Sequence, residues 1–273
     1  MEIHKPKPVH SWREFLKEYA IIVLGVATAL AAEQAVEWWH WKNQVTEARA
    51  LIASELTRSV RQSIIRLRIE TCGERRLDEL GAILDNASKT GALPPLGDIG
   101  APPRSVWYYG VWESVVASQA AVHFPHEQLA ALGNTYKFVQ KADETSSAER
   151  SHWDSLYAMV GPGRRLDAAS EARLRDALSH ARASNRDMSV LATNIIREVK
   201  ALNLPFSSKD LDSIAAGRHL PLVKSRNEFS FTGYVCAPIE PAPAVYGQAT
   251  WKFVPYGNAD ELKALPNFGE GAR

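Results

Sequence analysis

Cysteine is the scarcest chemically useful residue here: 273 residues contain two. That excludes a cysteine-only four-ligand zinc site and a dense disulfide scaffold. Neither sign of charge is in surplus, with 32 basic against 31 acidic side chains and a formal net charge of +1. A general nucleic-acid binder needs a basic excess to offset phosphate, so no nucleic acid is expected as a partner. Repeats and low-complexity tracts are missing as well. What remains is an ordinary folding composition, 45% hydrophobic and 23% charged, too apolar for intrinsic disorder and long enough for one large or two modest domains.

The strongest positive signal lies near the start. Residues 19–32 carry no charge and follow Lys5, Lys7, Arg13 and Lys17. As a helix that run spans about 21 Å, short of a hydrocarbon layer of roughly 30 Å. Continued to Trp41 it reaches about 35 Å, and it then ends in Trp38, Trp39, His40 and Trp41, whose indoles favour the headgroup boundary. Two main readings are open. One is an uncleaved anchor, with 19–41 as the transmembrane helix and Trp38, Trp39 and Trp41 as its interfacial belt. The other is a signal peptide cut after Ala29-Leu30-Ala31. The anchor is favoured because helical patterning continues past the cut site and the tryptophans have no role after cleavage. A buried helix of a soluble protein is the third reading. More Lys and Arg precede the span than follow it, which places the N-terminal segment 1–18 in the cytoplasm and the bulk outside.

Within the span Gly25, Ala29 and Glu33 recur every four residues. Small residues so spaced let two helices approach closely in lipid, with Glu33 shielded at the contact. The plainer alternative is that Glu33 and Glu37 lie near the outer interface and reach water.

Beyond the belt the periodicity is helical. Val45, Ala48, Ile52, Leu56, Val60, Ile64 and Leu67, then Leu77, Leu80 and Leu84, predict a long helix bent near Gly73. Arg58, Arg61, Arg66 and Arg68 on it read as a solvated face, with attraction to anionic lipid as the alternative. Glycine and proline predict a loop over 86–104. A helix over 105–121 follows with Trp107, Tyr108, Tyr109 and Trp112, read as a core or inter-helix contact before an aromatic ligand pocket. From Pro125 another long helix runs to Val160, with an all-round polar middle over 143–151 that predicts weak packing. After Gly161-Pro162-Gly163, Leu174 to Leu202 marks the next helix, and a short one over 208–216 is capped by Ser207 and stopped by Gly217. Prolines exclude long helices from the last 56 residues, where Phe229, Phe231, Val235, Trp251 and Phe253 allow a short β-hairpin, with Pro-flanked extended segments as the equal alternative. The expected fold is mainly α: the transmembrane helix, an antiparallel helical bundle over 42–217, and an irregular proline-rich tail over 218–273.

Candidate chemistry is sparse. If the body is exported, an oxidising compartment favours a Cys72–Cys236 disulfide, with two separate buried thiols as the alternative. His123-Phe124-Pro125-His126-Glu127 lacks the second histidine that a zinc-protease helix needs, since Ala130 occupies that place. Residues 161–165 lack the glycine spacing of a phosphate loop. His152, Asp154 and Ser155 are neighbours in sequence, which is not triad geometry. No catalytic role, cofactor or metal is therefore expected.

The opening HSWREFLKEYAIIVLGVATALAAEQAVEWWHW resembles that of a group of uncharacterised bacterial single-span membrane proteins with an exported helical domain. Those share a W-R-E start, an I-I-V-L-G-V span and an E-Q-x-V-E exit. The stretches C-G-E-R-R-L-D-E-L at 72–80 and V-C-A-P-I at 235–239 also look like this group, whereas the sequence after Ile239 does not. The resemblance covers about a quarter of the chain and implies location and topology, in the bacterial inner membrane with a periplasmic bulk, and no reaction. The expected function is a membrane-anchored interaction protein that binds itself or another envelope component. The alternative is a ligand-binding sensory module signalling through a partner, because only about 18 residues precede the span.

Overall fold

The computed structural model describes residues 12–103, 105–219, 234–240 and 242. Among these are five α-helices: α1 (Trp12–Thr90), α2 (Gly110–Ala117), α3 (His126–Leu156), α4 (Ala168–Ala201) and α5 (Ser208–His219). Two short strands, β1 (Ala92–Leu93) and β2 (Arg164–Arg165), pair antiparallel. The fold is mainly helical. Phe229, Phe231, Trp251 and Phe253 of the expected hairpin lie outside the described residues. Val235 lies in a single 3-10 turn, Tyr234–Cys236.

α1 is one helix of 79 residues, about 118 Å long at 1.5 Å per residue. It passes through Gly73 and ends only at Thr90, inside the stretch expected to be loop. The glycine that suggested a bend serves packing instead. A Cβ on Gly73 would lie 2.6 Å from Asn185 Oδ1 of α4, so only glycine admits that side chain. Gly91, at φ +75°, is the residue that stops α1, and its N–H donates back to the Ala87 carbonyl at 2.8 Å.

α2 is shorter than the expected helix over 105–121. Its first N–H groups find their acceptor on α1: Val111 donates to Glu55 Oε2 at 2.9 Å and Trp112 to Oε1 at 3.4 Å. Gln119, at φ 63°, ends the segment, and a 3-10 turn, Ala120–His123, follows. α5 runs past Gly217, the expected stop, to His219. There Gly217 lies against Arg61, whose Cγ a Cβ would meet at 3.0 Å, and its carbonyl accepts from Arg68 at 3.1 Å. The Ser207 cap is present, reciprocated by Asp210.

Contacts that climb α1 descend α4. Glu70 meets Asn185, Asp78 meets Arg182 and Asp85 meets Arg175, so the two helices run in opposite directions. Apolar side chains gather in two clusters. One holds Ile52, Leu56 and Val60 with Leu132, Tyr136, Val139, Met188, Leu191 and Ile195. The other holds Ile69, Leu77, Leu80 and Leu84 with Trp153, Leu156, Leu174 and Leu178.

Between the clusters sits the polar middle of α3, which packs closely. Ser146 and Glu149 are buried there. Arg66, 5% exposed, forks onto Glu149, 4% exposed, at 2.8 and 2.6 Å. Its Nη2 also donates to Asn185 Oδ1 at 2.7 Å. Burial pushes the Glu149 carboxyl above its usual range, and the guanidinium pulls it back. The expected solvated arginine face is thus corrected. Arg66 is interior, Arg61 and Arg68 are half-buried against α5, and only Arg58 is exposed.

Removing one partner strands the other charge in the interior. Glu149→Ala should lower stability by about 3–5 kcal/mol, whereas the double change Arg66→Met with Glu149→Leu should regain most of that loss. Urea unfolding in mild detergent reads both.

Candidate functional site

Two regions stand apart from the packed core: the N-terminal end of α1 and the junction that holds the C-terminal segment. From residue 12 to 40 every described side chain of α1 is exposed, Ile21 to 71%. α1 contains one segment long and apolar enough to cross a membrane, and none of it is buried in the protein. The core helix of a soluble protein would be mostly covered. A Cβ at Gly25 would meet nothing within 4 Å, so the face carrying Gly25, Ala29 and Glu33 has no contact with the other described residues.

The three belt tryptophans differ. Trp38 is 64% exposed and Trp39 is similarly open, with the Lys42 ammonium 4.8 Å from the Trp38 ring centre. Trp41 is half-buried and stacks on His123, centroids 3.9 Å apart and planes 20° from parallel. Trp38, Trp41, Val45, Ala48 and Ile52 recur at spacings of three and four. The belt is therefore continuous with the row that forms the core.

The aromatic set at the start of α2 does not form one pocket. Trp107 is buried in the core, while Tyr108 is exposed with the Arg58 guanidinium 5.0 Å from its ring centre. Tyr109 and Trp112 are half-buried, and Trp112 stacks on Tyr136 at 5.2 Å. Their organiser is Glu55, which sequence reasoning missed: its buried carboxylate accepts from Tyr136 Oη at 2.8 Å as well as from the start of α2. Burial and that carboxylate push the Tyr136 hydroxyl far above its usual range. The available signal was a glutamate inside the apolar row between Ile52 and Leu56.

The C-terminal junction is built on α1. Cys72 and Cys236 are joined by a disulfide spanning 164 residues. Around it, Arg75 donates to the Cys236 carbonyl at 3.2 Å and the fully buried Arg76 to the Ala237 carbonyl. Further along, Gly97 N donates to the Glu240 carbonyl and Glu240 N to the Asp98 carbonyl, each at 3.1 Å. Val235 fills the second apolar cluster. One turn of helix, Cys72 to Arg76, thus supplies a covalent bond and two cation donors to the same short peptide.

A cleft of about 300 Å³ lies between α3 and residues 101–103. Glu149, Arg150, Trp153 and Tyr157 line it, and Arg150 Nε and Trp153 Nε1 are buried with no partner among the described residues. Elsewhere, His152 stacks on His180 at 5.0 Å, and Ser155 donates to the Ser151 carbonyl, so the three neighbours do not assemble a triad. No group of three or more metal-ligating side chains occurs among the described residues.

In comparisons with known proteins, no family model, curated protein or solved structure matches this chain. The resemblance drawn from its opening segment therefore rests on those residues alone.

The disulfide should appear as a mobility difference between reduced and non-reduced protein alkylated at harvest, abolished by Cys72→Ser. Its loss should lower the unfolding free energy by at most about 5 kcal/mol, the chain-entropy value for a loop of this size. With the disulfide intact, Arg76→Ala should cost about 1–3 kcal/mol, because a buried carbonyl loses its donor.

Proposed function

We propose that this is a bitopic bacterial inner-membrane protein whose periplasmic antiparallel helical bundle binds a second copy of itself or another envelope component. The observation that carries this reading is the uncovered N-terminal end of α1. Its 29 residues, 12–40, would reach about 43 Å as a helix. That is enough for a hydrocarbon layer of roughly 30 Å with its interfaces, and so large an apolar surface requires a partner, here the lipid bilayer. The excess of Lys and Arg before the span supports a cytoplasmic N-terminus. A disulfide in the body fits an oxidising compartment on the other side.

The open face at Gly25 and Ala29 supports association in the membrane. Two helices can approach closely there, and the Glu33 carboxylate would leave the acyl chains at their contact.

A ligand-binding sensory role is the second reading, favoured by the two donors of the cleft beside α3 that have no partner among the described residues. A ligand there would present acceptors to Arg150 and Trp153. Thermal shift with a panel of small carboxylates and polyols tests it, since a ligand of the folded state raises the melting temperature.

The leading reading predicts that protein purified in mild detergent travels as an oligomer or with a stoichiometric partner. Gly25→Ile with Ala29→Ile should weaken an association made through the span. A monodisperse, partnerless monomer would count against the proposal.

A further inference from the structure

The body has its own exposed apolar side chains, and one of them lies at the level of the tryptophan belt. Beyond the N-terminal end of α1, Val122 is the most exposed large hydrophobic residue described, at 69%. It belongs to the 3-10 turn Ala120–His123, whose Ala120 and Ala121 are buried. The turn is therefore fastened on one side and presents Val122 on the other. Its height along α1 is fixed by the His123 ring, stacked 3.9 Å from Trp41. Trp41 is three residues beyond Trp38, or about 4.5 Å along the axis. The polar layer of one leaflet is about 5–7 Å deep, half the difference between the whole bilayer and its hydrocarbon core. A turn held beside Trp41 thus falls within that layer when Trp38 and Trp39 mark the boundary.

The row of Trp38, Trp41, Val45 and Ile52 adds direction. The side of α1 that carries two of the belt tryptophans is the side on which the body packs. The body therefore overhangs the bilayer on that flank, and the turn meets α1 at the belt itself, through His123 on Trp41. The side chains that accompany Val122 there suit a headgroup layer: an imidazole on an indole, Pro125, and His126 at the start of α3.

We infer that the turn Ala120–His123 is a second membrane contact, with Val122 reaching from the headgroup layer toward the acyl chains and the Trp41–His123 stack setting its depth. This rests on the anchor reading above. Together the span and the turn give the body two points of support on the outer leaflet and a fixed tilt.

Site-directed spin labelling of the full chain tests this. The native cysteines are tied to each other and take no label. Val122→Cys, Leu24→Cys in the span and Lys89→Cys at the far end of α1 are labelled singly. Each is placed in nanodiscs of phosphatidylethanolamine and phosphatidylglycerol. Collision with oxygen, which partitions into lipid, is compared with collision with a water-soluble nickel chelate. The inference expects the Val122 label to shift toward oxygen, as at Leu24, while the Lys89 label favours nickel. A Val122 label that behaves like Lys89 overturns it and leaves the anchor standing. A label shielded from both reagents also overturns it, because protein then covers the turn. A water-exposed Leu24 label would sink the anchor reading itself.

Discussion

One buried cation organises the packed body. Arg66 lies where the two apolar clusters meet, and it draws α3 and α4 onto α1 through Glu149 and Asn185. A guanidinium there cannot be left unpaired, so the register of three helices is tied to one set of hydrogen bonds. Gly73 makes room for the Asn185 side chain, which then accepts from Arg66. An apolar residue at 66 would pack without demanding any particular neighbour.

Glu55 does similar work nearer the tryptophans of α1. A carboxylate in an apolar row is costly unless it is fully used, and this one is used twice, by the Tyr136 hydroxyl and by the first N–H groups of α2. An eight-residue helix has little stability of its own. Its position follows from the acceptor on α1, and the turn beyond it follows in turn. The route from a buried glutamate to the exposed Val122 is short.

The long-period features were legible in the sequence. The apolar run before the tryptophans, the row from Val45 to Leu84, the α4 row from Leu174 to Val199 and the two cysteines all express themselves locally or through composition. What escaped depends on partners distant in sequence. Arg66 and Glu149 are 83 residues apart, and nothing in either neighbourhood marks them as a pair. The polar middle of α3 looked poorly packed because its charge was counted without the opposite charge that meets it. Gly73 and Gly217 read as breaks, since a missing side chain is equally the mark of a turn and of close approach between helices. The aromatic set looked like a unit because its members are adjacent in sequence, yet their rings face different neighbours.

The closure of residues 72–236 by a disulfide sets a mechanical shortcut. Tension entering through the peptide around Cys236 passes directly into α1 at Cys72. It then runs down an unbroken helix toward the tryptophan belt. The intervening helices α2 to α5 lie off that line of force. They can be displaced or rearranged without paying out chain between the two ends, so a pull on one end reaches the other at nearly constant length.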